Sequence, residues 1–301
     1  MSKKDFLEKY VMVIILLLLI VAALCWSLRA ELPQPAIGSS PPVSMFLLAM
    51  LMLLGVGAGF FGGLLGLGGG LIMLPILSFG MGFSTTMAVG TTLFAVIFTT
   101  ISGGYAHLVR GNVHTRSSLL IALGGVTGIS LGSGVFTVLT TQMKMLSLIL
   151  GLFFIVPSLY MIWDALCHRE PSLNVPGTPH FNRSKDIVFL GLTVGFLTGV
   201  LGLGGGFILV PGLTYLFGFP VQLAVGTTLT AVIPVTIAGG GIKLWQSYVL
   251  LPAALSMGLG TVIGAQFGAI SIRYFKDSTL KLVFGLYFLY VAVRYIIDYW
   301  A

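Results

Sequence analysis

Residues 59–75 read GFFGGLLGLGGGLIMLP, and residues 195–211 read GFLTGVLGLGGGFILVP. The two stretches align without a gap at an offset of 136 residues. The register holds through Ala88-Val89-Gly90-Thr91-Thr92-Leu93, which recurs as Ala224-Val225-Gly226-Thr227-Thr228-Leu229, and runs on to Gly132 and Gly268. About 35 of about 74 aligned positions are identical. Apolar segments share composition by chance, but not a gapless register over that length, so the chain carries an internal duplication.

Around the duplicated stretch the sequence is built for lipid. Of its 301 residues, 57% are hydrophobic and 8% charged, and the mean hydropathy is +1.07. That is too little charge to cover a water-soluble surface. Residues 11–28, VMVIILLLLIVAALCWSL, contain no charge, and apolar runs of span length recur along the chain. In lipid only helices and closed barrels satisfy the backbone, and long uninterrupted apolar runs lack the alternation of a barrel strand. The expected fold is an all-α polytopic membrane protein.

The formal charge of +7 belongs to short loops that orient helices, not to a nucleic-acid surface. Lys3, Lys4 and Lys9 ahead of an apolar stretch have the pattern of a signal peptide. The stretch is longer than a signal core, however, and Arg29-Ala30-Glu31 is a poor cleavage site, so a retained first helix is expected. Cys25 falls in that helix and Cys167 opens a basic loop, which argues against a disulfide between them.

The chain divides into an N-terminal helix with its outer loop (1–43), a first membrane repeat (44–166), a polar linker (167–186) and a second repeat (187–301). Each repeat opens with an apolar segment, about 44–66 or 186–203, that ends in a glycine run. A segment too short to span follows, 71–83 or 207–219. Three full-length candidates come next: 87–109, 117–140 and 144–166, then 221–245, 249–272 and 279–298. Pro171, Pro176, Gly177 and Pro179 mark the linker.

Loop charge sets the orientation. Arg110, His114 and Arg116 follow the third segment of the first repeat, whereas the aligned loop from Gln246 to Leu251 is uncharged. One loop later the contrast reverses, with Lys144 alone against Arg273, Lys276 and Lys281. Equivalent loops are therefore expected on opposite sides, with the N-terminus in the cytoplasm. That is an inverted repeat, whether the first two segments of each half cross the bilayer or re-enter.

Inverted repeats with broken helices place substrate near the midplane, at the repeat interface. The expected breaks are Gly66-Leu67-Gly68-Gly69-Gly70, closed by Pro75, and Gly202-Leu203-Gly204-Gly205-Gly206, closed by Pro211. Each glycine costs a helix about 1 kcal/mol, and the short helix beyond turns its positive N-terminus toward the gap, with the sign to hold an anion. Gly55, Gly59 and Gly63 are spaced instead for helix packing. Neither glycine run has the Lys-Ser or Lys-Thr of a phosphate loop. Thr91, Thr92, Thr227 and Thr228 either bond to backbone or donate to an oxyanion. His107 and Lys243 occupy aligned positions and either snorkel to the interface or guard two mouths of a pathway. Gln266, Ser102 and Tyr105 are weaker polar candidates.

All eight acidic residues, Asp5, Glu8, Glu31, Asp164, Glu170, Asp186, Asp277 and Asp298, fall at segment ends or in loops. Pumps and cation carriers bury carboxylates as ligands or proton relays, so this core is better suited to an anion. The helices hold no constellation of His and carboxylates for a metal or a catalytic centre. No enzyme activity, metal or cofactor is expected, and the expected partners are a small anion and the bilayer, not nucleic acid. A homodimer is one assembly these features allow.

The paired GLGGG-x4-P and AVGTTL motifs, inside a duplicated apolar chain, resemble the TauE/SafE family of sulfite exporters. The resemblance covers about 44–298. It implies a transporter of sulfite or related organosulfur anions, directed outward across a bacterial inner membrane. An anion channel and a carrier of a non-sulfur anion are the alternatives.

Overall fold

The computed structural model describes residues 3–29, 41–167, 184–271 and 277–300, and among these every regular element is helical. After α1 (Lys3–Arg29) come α2 (Met45–Leu65), α3 (Gly70–Pro75) with a π-turn at Ile76–Gly80, α4 (Thr85–Val109), α5 (Thr115–Leu139) and α6 (Met143–Cys167). The same order then repeats: α7 (Ser184–Leu201), α8 (Gly206–Pro211) with a π-turn at Gly212–Leu216, α9 (Val221–Trp245), α10 (Leu251–Ser271) and α11 (Asp277–Trp300). Among the described residues eight helices, α2, α4 to α7 and α9 to α11, are long and apolar enough to cross a membrane. The 25 residues of α4 reach about 38 Å, whereas Gly70–Gly80 and Gly206–Leu216 reach about 16 Å, half a hydrocarbon core. Most of the linker, together with Arg273 and Lys276, lies outside the described residues.

The halves exchange partners. Helix α2 packs along α10, and its counterpart α7 packs along α5. Small residues explain how closely they approach. A Cβ on Gly59 would stand 2.5 Å from the Thr261 backbone, and one on Gly195 would stand 2.7 Å from the Gly125 Cα. Facing them, Gly260, Gly264 and Gly268 abut the α2 backbone from Met52 to Leu64, and Gly124, Gly128 and Gly132 abut α7 from Val188 to Phe196. Glycine every fourth residue on both partners makes a flat face, so dispersion and Cα–H contacts replace the hydrophobic effect that lipid does not supply. The packing reading of Gly55, Gly59 and Gly63 is the one the structure bears out.

Helices α4 and α9 form the centre and run antiparallel, Gly104 lying against Leu229 and Gly240 against Phe94. Their midpoint is a hydrogen bond between equivalent residues, Thr100 Oγ1 and Thr236 Oγ1, at 3.2 Å. Helices α6 and α11 pair at one flank through Phe154, Phe284, Phe288 and Tyr295, with Ser158 donating to the Gly285 carbonyl at 3.0 Å. Helix α1 rests on α10, where Val13 and Ile20 meet Leu255, Leu259 and Val262. Large apolar side chains such as Leu119, Leu123, Val138, Val156 and Phe189 cover the outside, a surface that water would not tolerate and lipid does.

One local device makes a pH prediction. His114 caps α5: its Nδ1 accepts from the Ser117 backbone N–H at 3.3 Å and lies 2.8 Å from the Ser117 hydroxyl. The cap needs a neutral ring, and partial burial, with Arg116 nearby, lowers the imidazole below its ordinary value of 6.5. A group whose folded value is depressed adds stability above its unfolded value and loses it as pH falls. The melting temperature is therefore expected to be flat above pH 7 and to fall on acidification below 6.5. His114→Asn, which keeps a cap acceptor without a titrating ring, should flatten that fall; an unchanged profile would count against the cap.

Candidate functional site

The glycine runs do break their helices. Helix α2 stops at Leu65, and Gly66, Gly68 and Gly69 take left-handed φ of 73°, 74° and 78° before α3 starts at Gly70. Gly202, Gly204 and Gly205 repeat the turn at 73°, 83° and 72°. Only glycine holds such a run without strain. Pro75 and Pro211 end α3 and α8, and each is followed by a π-turn, which leaves the bonds a proline removes to a wider register.

The two breaks touch. A Cβ on Gly70 would stand 2.6 Å from the Leu203 carbonyl oxygen, and one on Gly206 would overlap the Gly66 carbonyl. Both breaks approach α4 near the molecular midpoint, Gly68 and Gly204 each meeting the Val96 side chain. The start of each short helix is thus in contact with carbonyl oxygens of the other break.

The threonine pairs divide into two roles. Thr91 Oγ1 accepts from the Leu250 backbone N–H at 3.0 Å, and Thr227 Oγ1 accepts from the His114 backbone N–H at 3.0 Å. These hydroxyls tie each central helix to the loop of the other half. They do not cap their own helices, which begin a turn or more earlier, at Thr85 and Val221. Thr92 and Thr228 are fully buried, and their hydroxyls have no hydrogen-bond partner.

Their direction follows from helical spacing. Val89 meets Gly202 and Val96 meets Gly204, and Thr92 lies between those valines within about 60° on the helix wheel. Thr92 of the first half therefore lies toward the side of α4 that meets the breaks. By the same spacing Thr228 lies within about 60° of Val225 on α9, and Val225 meets Gly66. A buried hydroxyl without a partner costs about 1–3 kcal/mol, and two occur at equivalent places.

His107 and Lys243 are both fully buried, so neither snorkels. His107 Nε2 donates to the Gly63 carbonyl at 3.2 Å, which leaves Nδ1 without a partner. Lys243 Nζ stands 3.1 Å from the centre of the Phe136 ring and has no hydrogen-bond partner. Each lies seven residues beyond the Thr100–Thr236 contact on its helix, about 10 Å along the axis in opposite directions. Gln266 is committed elsewhere: its Nε2 donates to the Ser102 carbonyl at 2.9 Å and to the Ser102 hydroxyl at 3.0 Å, stapling α10 to α4. Tyr105 packs in the cluster beneath α1.

Sequence reasoning missed two unpartnered hydroxyls, Thr99 on α4 and Ser133 on α5, both fully buried. A serine on the glycine face of α5, one residue after Gly132, was the available signal for the second.

The family described as Sulfite exporter TauE/SafE matches residues 51–295. A probable membrane transporter protein of Bacillus subtilis, YunE, is 27% identical over 271 residues, covering 83% of this chain and 97% of its own. A probable membrane transporter protein of Methanocaldococcus jannaschii is 29% identical over 243 residues, covering 74% and 86%. One from Xylella fastidiosa is 27% identical over 275 residues, covering 85% and 98%. No solved structure matches.

Proposed function

The chain belongs to the sulfite exporter TauE/SafE family and is a membrane transporter, and on that premise we propose that it carries small sulfur-containing anions, sulfite or organosulfonates, out across the bacterial cytoplasmic membrane. The observation that carries this reading is the pair of unpartnered buried hydroxyls, Thr92 and Thr228, each within one helical turn of a valine that meets the glycine break of the other half. Hydroxyls donate to oxyanions, and no carboxylate occurs from residue 32 to 163 or from 187 to 276 to hold a cation.

The mechanism we infer is alternating access between inverted repeats. Equivalent helices α4 and α9 run antiparallel about the Thr100–Thr236 contact, and helices that both cross a bilayer in that relation cross in opposite senses. Each glycine break with its short helix then makes a re-entrant segment over the midplane. Thr91 and Thr227 couple the central helices α4 and α9 to the loops at 246–250 and 110–114, so a movement of one half is passed to the other. With the N-terminus in the cytoplasm, the loop at 110–114 faces inward and the loop at 246–250 outward. Export needs no coupling ion, since an inside-negative potential drives an anion out by about 2.3 kcal/mol per charge per 100 mV.

Two measurements test the reading. A single cysteine replacing Gly111 should react with an impermeant maleimide only in inside-out vesicles, and one replacing Ser247 only in right-side-out cells. Labelling of both from one side would remove the inverted topology. Purified protein should melt higher in sulfite or a sulfonate than in equal ionic strength of sodium chloride, because a ligand of the folded state stabilises it by mass action. A shift with a monovalent cation and with no anion would reopen the substrate class.

A further inference from the structure

We propose that Lys243, Ser133 and the Phe136 ring form an oxyanion subsite present in only one half of the protein, at the end where Lys243 lies. The inference rests on the anion-carrier reading and adds to it a place where the anion meets a wholly enclosed lysine side chain.

The Lys243 side chain leaves the last turn of α9 and is wholly enclosed. The face of Phe136 lies under its ammonium as a cation–π partner, but a ring cannot accept the three N–H donors that water held. An enclosed ammonium without a counter-charge is among the costliest arrangements in a protein core. Strain of that kind persists where function uses it.

The surroundings supply further donors. Ser133 lies one turn before Phe136 on α5, with an unpartnered hydroxyl. Its backbone nitrogen would be 2.7 Å from a Cβ on Gly199, beside the second glycine break. On α4 the side chain of Leu93 reaches Gly239, one turn before Lys243, which brings the unpartnered Thr92 hydroxyl to the same level. The ammonium and the two hydroxyls thus belong to α9 and to the two helices, α5 and α4, that each pack on it. Three oxygens of a sulfite or a sulfonate head group are the matching acceptors.

The other half lacks the arrangement. His107 stands where Lys243 would be, and its Nε2–H is already used by the Gly63 carbonyl. The free Nδ1 of a neutral ring offers a lone pair, which repels an anion. Ser133 is matched by Ala269 and Phe136 by Ile272. The two access routes are therefore chemically unlike: one ends in a cation with donors, the other in a neutral ring and backbone. A carrier so built binds its anion more tightly when open toward Lys243.

The test is Lys243→Met, which keeps the apolar stem and removes the charge, measured by thermal melting of the full chain in detergent. Without added anion the variant should melt higher than wild type. The sulfite or methanesulfonate concentration needed for a given shift should rise at least about tenfold, and Ser133→Ala should raise it in the same direction without lowering the anion-free melting point. A variant that melts lower or does not fold overturns the proposal, because Lys243 is then structural. Equal anion shifts in wild type and Lys243→Met overturn the subsite while the carrier reading stands. No shift in wild type with any anion overturns both. A Lys243-dependent shift given by short-chain phosphatidylglycerol or by chloride, and not by sulfite or methanesulfonate, assigns the charge to a lipid head group or a halide and overturns the substrate class.

Discussion

Gly206→Ala is expected to abolish transport and to lower the yield of detergent-stable protein sharply, although it adds a single methyl group to an apolar helix. That methyl would overlap the Gly66 carbonyl and stand 2.9 Å from the Gly66 carbonyl carbon and the Leu67 Cα. All three atoms are backbone, so no side chain can swing away, and overpacking of this kind costs about 1–3 kcal/mol even where neighbours yield. Here yielding means separating the two glycine breaks at the centre of the molecule. Gly241→Ala is the control: it lies on α9, and its Cβ would meet nothing within 4 Å. Its helix propensity improves by about 1 kcal/mol, so stability should hold or rise with transport intact. Equal transport in the two variants would show that the contact between the breaks is dispensable.

The Thr92→Val, Thr228→Val double variant is the second large effect. Valine keeps the shape of threonine and removes a hydroxyl that has no partner in the protein. Relief of two buried orphan hydroxyls, each costing about 1–3 kcal/mol, should leave the anion-free protein at least as stable as wild type. The sulfite-dependent shift should disappear. Thr91→Val is the instructive contrast, one residue away: it strips the acceptor from the Leu250 N–H and should destabilise by about 1–3 kcal/mol whether or not anion is present. Loss of stability in the double variant, with an anion shift retained, would assign Thr92 and Thr228 to packing alone.

That contrast marks where the sequence stopped being informative. Hydropathy located the long helices to within a few residues, because apolar length is a local property: 221–245 was expected and Val221–Trp245 is found. The repeat alignment found the breaks for the same reason, since three adjacent glycines and a proline describe their own backbone. It could not separate Thr91 from Thr92, because both recur in both halves and the difference is which way each faces on α4. Nor could it find that α2 leaves its own repeat to pack on α10. The glycines at 260, 264 and 268 and at 124, 128 and 132 carried that signal at the same four-residue spacing as those at 55, 59 and 63. Two glycine faces of equal period are complementary only when paired, and a sequence read helix by helix does not reveal the pairing. The aligned His107 and Lys243 were visible as a pair, but their opposite fates, one bonded to a carbonyl and one left on an aromatic ring, depend on neighbours from other helices.

Counterflow decides whether the protein is a carrier of small sulfur oxyanions built on two opposed halves. Proteoliposomes containing the purified protein are loaded with unlabelled sulfite and diluted into a trace of radiolabelled sulfite under reducing conditions. Label should accumulate transiently above its equilibrium level, saturating with internal sulfite, and should fail to do so in the Thr92→Val, Thr228→Val variant. Label that only equilibrates, at a rate linear in concentration, would contradict alternating access, and vesicles that never admit sulfite would contradict the substrate.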